Sequence, residues 1–560
     1  MALSTLVVLG SLGAFAGCDV PERNPGGGGE AINTNMSQIY VRNYQGGFGN
    51  KWLFNGKDKI EAKYANTSFE DGKTGLQVMI TDIKQTPSTT NIPNDIYDVY
   101  FVEKVDYLAL QKLDVMEEIT DIVTGNNPYD NNTKTIESKL TQEQRDFYGI
   151  KDGAQTKYYA LPHYMAPMGI VYDKDLFDNR NYYFVDGHES IDVLDEKFIV
   201  FSDDVKSEGP DGVKGTADDG LPETYEDFWY LCEYIKSEGN MPLNWGGQGS
   251  TQFYLTGLLF QLIADYQGKD TFMQNFTMEG VMSDLVKLDN SGNVIYEDGK
   301  PATESVTLDP SIENGYETYR HMGYYHALTF LKKMMDTVGT YSIEANIVAN
   351  SYDAFAAQKD YVESRFESSK KRQAMLIEGS WWDSEASSYF GKYGEESLKE
   401  NCNYGWLPLP KATREKIGTK NTMVNSINSL CFIKKGVSGW RLDIAKEFVQ
   451  LMNSDESLVD FTVQTNAFKD FNYDLTPAQV AGLSPFGREM YTHWTKYDVI
   501  NPNNNNAQYY NSIYTVASSR RYAINGTDLF PAYTFVTKKS TTVDSYFAGT
   551  YNYVKSQYWA

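Results

Sequence analysis

Apolar and polar positions along the chain sort into two periods, one near 2 and one near 3.6 residues. Gln38-Ile39-Tyr40-Val41-Arg42-Asn43 alternates as a strand does and runs into a Gly-rich turn, Tyr44-Gln45-Gly46-Gly47-Phe48-Gly49. Residues 52–64 then carry the helical period, and strand, turn, helix is the opening of an α/β layer. Leu76-Gln77-Val78-Met79-Ile80 and Ile96-Tyr97-Asp98-Val99-Tyr100-Phe101 read as a second and third strand, with helical period between and after them, so the sheet is expected to be parallel. Further on, Met168-Gly169-Ile170-Val171-Tyr172-Asp173 reads as a buried strand feeding a short helix. Thr224 is placed to cap a helix ending near Ser237, with Asp227 three residues on in the capping-box position. Residues 252–266, 316–338 and 441–452 have helical period, while 374–378 and 429–433 read as strands. No internal repeat of about 20 to 50 residues is visible.

The beginning of the chain follows neither period. Residues 2–17 carry no charge, and the apolar stretch 6–15 is followed at once by Cys18-Asp19. It is too short for a membrane span, which needs about 20 residues, and reads as the apolar region of a signal peptide over 1–17. Phe15-Ala16-Gly17-Cys18 resembles a bacterial lipobox, in which the Cys18 thiol takes a lipid after cleavage; an ordinary or uncleaved secretory signal is the alternative, since no Lys or Arg precedes the apolar run. Residues 18–35, with Pro25-Gly26-Gly27-Gly28-Gly29, read as a flexible tether. Such an anchored body is expected on the extracellular face of a bacterial cell membrane. Cys232, Cys402 and Cys431 show no CxxC spacing and are expected to be buried free thiols.

Length and charge narrow the picture. At 560 residues the chain exceeds one core, so at least two domains are expected. A net charge of −25 repels phosphate backbones and anionic headgroups, which excludes nucleic acid and leaves the lipid as the only membrane contact. Aromatic residues make up 14%, and the 42 Tyr outnumber Phe and Trp together. Tyr suits wet grooves that hold a polar ligand by its faces.

Three fragments then carry a resemblance: Tyr172-Asp173-Lys174-Asp175-Leu176-Phe177, Leu221-Pro222-Glu223-Thr224-Tyr225-Glu226-Asp227-Phe228, and Ala374-Met375-Leu376-Ile377-Glu378-Gly379-Ser380-Trp381-Trp382. In this order they resemble the family 1 extracellular solute-binding proteins of bacterial ABC sugar importers, the group containing maltose-binding protein. The resemblance implies an α/β, two-lobed periplasmic-binding-protein-like fold of type II with a ligand cleft between lobes. It further implies an oligosaccharide ligand, delivery to the permease subunits of an ABC transporter, a monomer, and no enzymatic step. Residues 36–165 with about 340–380 are expected to form one lobe and about 166–339 with 381–500 the other, leaving 501–560 as an unassigned extension.

Enzyme signatures are thin: there is no GxSxG, HExxH, P-loop or GxGxxG after a strand. A pyranose needs flat rings for its faces and hydrogen-bonding groups for its rim. The candidate set is Trp381, Trp382, Trp245, Tyr164, Tyr44, Gln45 and Phe48 for faces and turns, with Asp98, Glu103, Glu378, Asp383 and His163 for the rim. Adjacent side chains after a strand point oppositely, and the Gly-x-Trp match favours Trp381 over Trp382 for the cleft. Glu378 and Asp383 leave a glycoside hydrolase or lyase open as a rival, and a same-fold receptor for a peptide or polyamine is a second. Asp203, Asp211, Asp218 and Asp219 sit in an Asp- and Gly-rich insertion that could hold a structural calcium, against the plainer reading of solvated turns. No other cofactor is expected.

Overall fold

The computed structural model describes residues 31–198, 205–247, 249–309, 313–348, 351–425, 427–502, 504 and 531–559. Cys18, with the signal and most of the tether, and Asp203 lie outside them.

Two sheets organise the chain. The first has the order Leu76–Ile83, Ser37–Tyr44, Val99–Glu103, Ser429–Ile433, Ala160–Pro162. Its first three strands are parallel, while Ser429–Ile433 runs antiparallel to both its neighbours. The second has the order Tyr404–Trp406, Met168–Asp173, Gln373–Gly379, Met241–Asn244, with the last two parallel and Met168–Asp173 antiparallel to its partners. The parallel expectation therefore holds for the opening strands and fails where the chain returns from one sheet to the other.

This topology corrects the expected division. Gln373–Gly379, assigned above to the first lobe with 340–380, is buried at all seven positions and lies inside the second sheet. Conversely Ser429–Ile433, assigned to the second lobe, is a central strand of the first sheet, followed by helices Trp440–Met452 and Asp455–Thr465 that pack on helix Lys51–Lys63. A strand buried on both faces must find two neighbours, and which sheet supplies them is decided by pairing, not by chain order. The chain crosses between units at 163–167, again at 424–428, and a third time after Thr465.

Local signals behaved as their physics requires. Thr224 Oγ1 accepts from Asp227 N at 3.3 Å and Asp227 Oδ2 from Thr224 N at 3.0 Å, opening helix Tyr225–Ser237. The helical period over 316–338 resolves into a 3-10 turn, Gly315–Arg320, and helix Met322–Asp336, because His321 Nδ1 accepts from Tyr324 N and starts a new helix there. Helices Pro531–Thr537 and Val543–Tyr558 pack on Met322–Asp336, which places the described part of the carboxyl-terminal extension on the second unit. Cys232, Cys402 and Cys431 are free and buried. No described helix is long and apolar enough to cross a membrane.

Candidate functional site

The units are joined by hydrogen-bonded crossing segments. Ser429 Oγ donates to Tyr164 O at 2.8 Å, and Asn425 Oδ1 accepts from Ala166 N at 3.0 Å. Beside this joint the carboxyl ends of Ser37–Tyr44 and Val99–Glu103 meet the carboxyl end of Gln373–Gly379 and the first turns of helix Gly249–Gln267. Carboxyl ends of strands are where open α/β sheets bind their ligands.

Trp381 is the centre of this meeting. Its indole folds back over Gly379, where any Cβ would collide with the ring, and reaches the first unit at Gly47, where a Cβ would lie 2.6 Å from Trp381 Cδ1. Two glycines from opposite units thus make the slot for one ring. The rings of Phe253 and Tyr254 each lie 6.2 Å from it. Trp381 is 6% exposed, so the cleft is closed around it. Lys104, just past the third strand, sits in the left-handed region (φ 58°), a costly conformation for a residue with a Cβ. That turn carries its Nζ over the rings of Tyr44 and Phe253, at 5.7 and 5.3 Å.

Three carboxyls face the same space. Glu103 accepts from the hydroxyl of Tyr164 and lies 3.3 Å from Lys104 Nζ. Gln358 Nε2 donates to both Glu378 Oε2, at 3.1 Å, and Glu385 Oε2, at 2.7 Å. The Tyr254 and Trp381 side chains face Glu378 and Glu385. Burial, with the charge of Glu385 adding, pushes the Glu378 carboxyl up to about 8, and burial lifts Glu385 to about 7 against the hydrogen bond from Gln358. Burial and Glu103 together raise the phenols of Tyr44 and Tyr164 above the usual range, so both are hydrogen-bond donors at neutral pH.

No family model matches the chain, and no curated protein does. Among solved structures, a chitin oligosaccharide binding protein superposes with a TM-score of 0.53 over 94% of this chain and 100% of that one, at 13% identity. It shares this chain's fold. A raffinose-bound receptor, RafE, covers the same 94% of this chain and 100% of its own at 14% identity with a TM-score of 0.49, and an apo form of RafE from Streptococcus pneumoniae does so at 13% identity and the same score.

Of the residues expected at the cleft, the structure brings together Trp381, Tyr44, Tyr164, Glu103 and Glu378. Gln45 is half-buried on the turn beside them. Phe48 packs edge-on against Tyr164 at 4.8 Å and belongs to the wall of the first unit.

Five others are corrected. Trp382 is fully buried among Tyr361, Phe390, Tyr404 and Phe486, because the helical turn Trp382–Glu385 swings it away from Trp381 into the second core. Trp245 is also fully buried, not accessible among its glycines; Asn244 and Asn346 tie its backbone into the second unit. Asp98 stands before Val99–Glu103, at the end of the strand remote from the cleft, where it accepts two bonds of 2.7 Å from Arg441. Asp383 accepts from Asn466 and Ser484 and ties the third crossing to the second unit. His163 is packed between Trp52, Phe101 and Tyr164 with Nδ1 2.7 Å from Lys469 Nζ; burial first, then Lys469, holds it neutral.

Residues missed from sequence are Glu385, Gln358, Lys104, Phe253 and Tyr254. Only Glu385 leaves a trace in sequence, as an acid one turn beyond the Trp pair, and it is Glu385, not Asp383, that stands beside Glu378.

The Asp- and Gly-rich insertion holds itself. Asp211 Oδ1 accepts from Val213 N, Asp218 from Asp211 N and the Thr216 hydroxyl, and Asp219 from Gly215 N and Thr216 N. The loop's own N–H and hydroxyl donors hold these carboxylates in place without a cation. Nearby His188, Glu223 and Asp227 have ligand atoms close together, but Arg414 lies 3.3 Å from Glu223 and 3.6 Å from Asp227 and supplies the positive charge. A cavity of about 830 Å³ opens elsewhere between the units, lined by Gln144, Asp470, Tyr473, Trp494 and Tyr497. None of Trp381, Glu103, Glu378 and Glu385 lines it.

Proposed function

We propose that the protein is a substrate receptor of an ABC importer that captures an oligosaccharide between its two units. The observation that carries this reading is Trp381 at the meeting of both units, beside Phe253 and Tyr254 and close to carboxyls able to accept from sugar hydroxyls. A ring of this kind binds the C–H face of a pyranose, and the acceptors orient its rim. Contacts from both units exist together only when the cleft is closed, so ligand favours closure by the free energy of those extra contacts. The sugar is held intact and passed to permease subunits, with the receptor a monomer tethered through Cys18 on the outer face of the cell membrane. A fold shared with a chitin oligosaccharide binding protein supports the saccharide reading.

A thermal-shift panel of oligosaccharides on the full chain tests it, since a ligand that binds only the folded form raises the midpoint. The expected result is a rise with at least one oligosaccharide and no shortened products on chromatography after prolonged incubation. The adjacent acids Glu378, buried, and Glu385, half-buried, keep a glycoside hydrolase as the second reading, and new reducing ends in that incubation would establish it.

A further inference from the structure

The buried acids of this protein fall into two kinds. Asp130 pairs with Lys139, Asp173 with Arg365 and Arg372, Asp265 with Lys411 and Asp98 with Arg441. Asp383 and Asp470 have no ion pair among the described residues, but each stands alone with amide or hydroxyl donors, Asp383 taking both of its bonds on Oδ2 in the field of Lys399. Glu378 and Glu385 differ from all of these. They are two acids side by side, bridged by one amide nitrogen, and among the described residues neither has a cationic partner. The fields of Glu103 and Asp353 add to theirs. Lys104 is the cation nearest the space, and it is engaged with Glu103 on the first-unit side.

The donors facing the pair are all neutral: Gln358 Nε2, Gly379 N, and the Tyr254 and Trp381 side chains. The acceptors exceed them. Gln358 Oε1 belongs to a wholly buried side chain whose other end grips both carboxyls, and it has no hydrogen-bond partner. An unfilled acceptor beside two uncompensated carboxyls calls for a group with several donors and a positive charge, which is an ammonium. The indole of Trp381 attracts the same charge, while the rings of Tyr44 and Phe253 already lie under Lys104 Nζ.

Building on the oligosaccharide reading, we infer that the ligand carries a protonated amine, an amino sugar whose ammonium is seated between Glu378, Glu385 and Gln358 while its ring lies on Trp381. A neutral sugar hydroxyl donates to Gln358 Oε1 but brings no charge to the acid pair; an ammonium supplies donors and the opposite charge together.

Titration calorimetry of the full chain, with glucosamine oligomers and their N-acetylated counterparts of equal length in buffers of different ionisation enthalpy, tests this. The amine form should bind at least about tenfold more tightly, as a fully desolvated charge pair does. It should also release protons, because carboxyls held near 8 and 7 must ionise on meeting the cation, so its affinity rises with pH below those values while the amine stays charged. Glu378→Gln and Glu385→Gln should each remove most of the preference; if one variant fails to fold, proton release by the unaltered chain still decides. Equal or tighter binding of the N-acetylated oligomer, or binding with no proton release, overturns the inference and leaves the oligosaccharide reading standing. Spermidine binding more tightly than every saccharide would uphold the cation site and overturn the oligosaccharide reading. No binding of any of these probes would overturn both.

Discussion

The two ends of the strand Gln373–Gly379 show opposite treatments of buried charge. At its amino end Asp173, on the adjacent strand, accepts from Arg365 at 2.8 Å and from Arg372 at 2.7 Å, and its Oδ1 also caps the helix Lys174–Arg180. Acid and base are balanced there and every oxygen has a donor. At its carboxyl end Glu378 faces Glu385 with no basic partner among the described residues, beside a tryptophan clasped between two glycines. One end is built to be complete. The other lacks a partner that the protein itself does not supply, and groups of that kind collect at functional sites.

The comparison can be broken or sharpened by substitution at either end. The largest effect is expected at Trp382, on the core side of the strand's end: Trp382→Ala should cost about 3 to 5 kcal/mol in urea unfolding, as removal of a buried Trp does. Next, Asp173→Ala should cost about 3 kcal/mol by leaving two guanidinium groups facing each other, with ligand affinity unaltered in the folded fraction. A loss of affinity without a loss of stability at Asp173 would erase the distinction between the two ends. At the acid pair the sign reverses. The folded Glu378 carboxyl is raised from 4.5 to about 8, so its contribution to stability is complete below about 4.5 and is lost as pH rises through about 8. Glu378→Gln should therefore flatten the fall of Tm with pH over that window and raise Tm at its alkaline end; an unchanged profile would deny that the carboxyl is buried unpaired. The smallest effect concerns the Asp- and Gly-rich insertion, where added calcium or chelator should leave Tm unchanged, because the loop's own N–H groups hold its carboxylates in place without a cation. A shift of several degrees would require a different loop geometry.

Much of the fold was legible in sequence because it rests on local physics. The capping box at Thr224 and Asp227 and the alternation over 38–43 each fix their own element. The division into units was not, because Ser429–Ile433 and Gln373–Gly379 have the same buried pattern and only long-range pairing decides which sheet each joins. The site followed the same rule. Trp381 was recoverable because the Gly-x-Trp match of the resemblance singles it out, and the structure gives the reason: Gly379 leaves room for its ring. Trp245, Asp98 and His163 were misplaced because burial and strand direction are not encoded by residue type. Tyr254, Gln358 and Glu385 come from three separate elements of the second unit that meet only once that unit has folded, so no local pattern joins them.

The most direct test is titration calorimetry of the full chain and of Trp381→Ala against the oligosaccharide that gives the largest thermal shift. The unaltered chain should bind it with measurable heat. The variant should bind at least about tenfold more weakly, as loss of an aromatic anchor implies, while unfolding cooperatively at a similar temperature. Equal affinity in the two proteins would contradict the account.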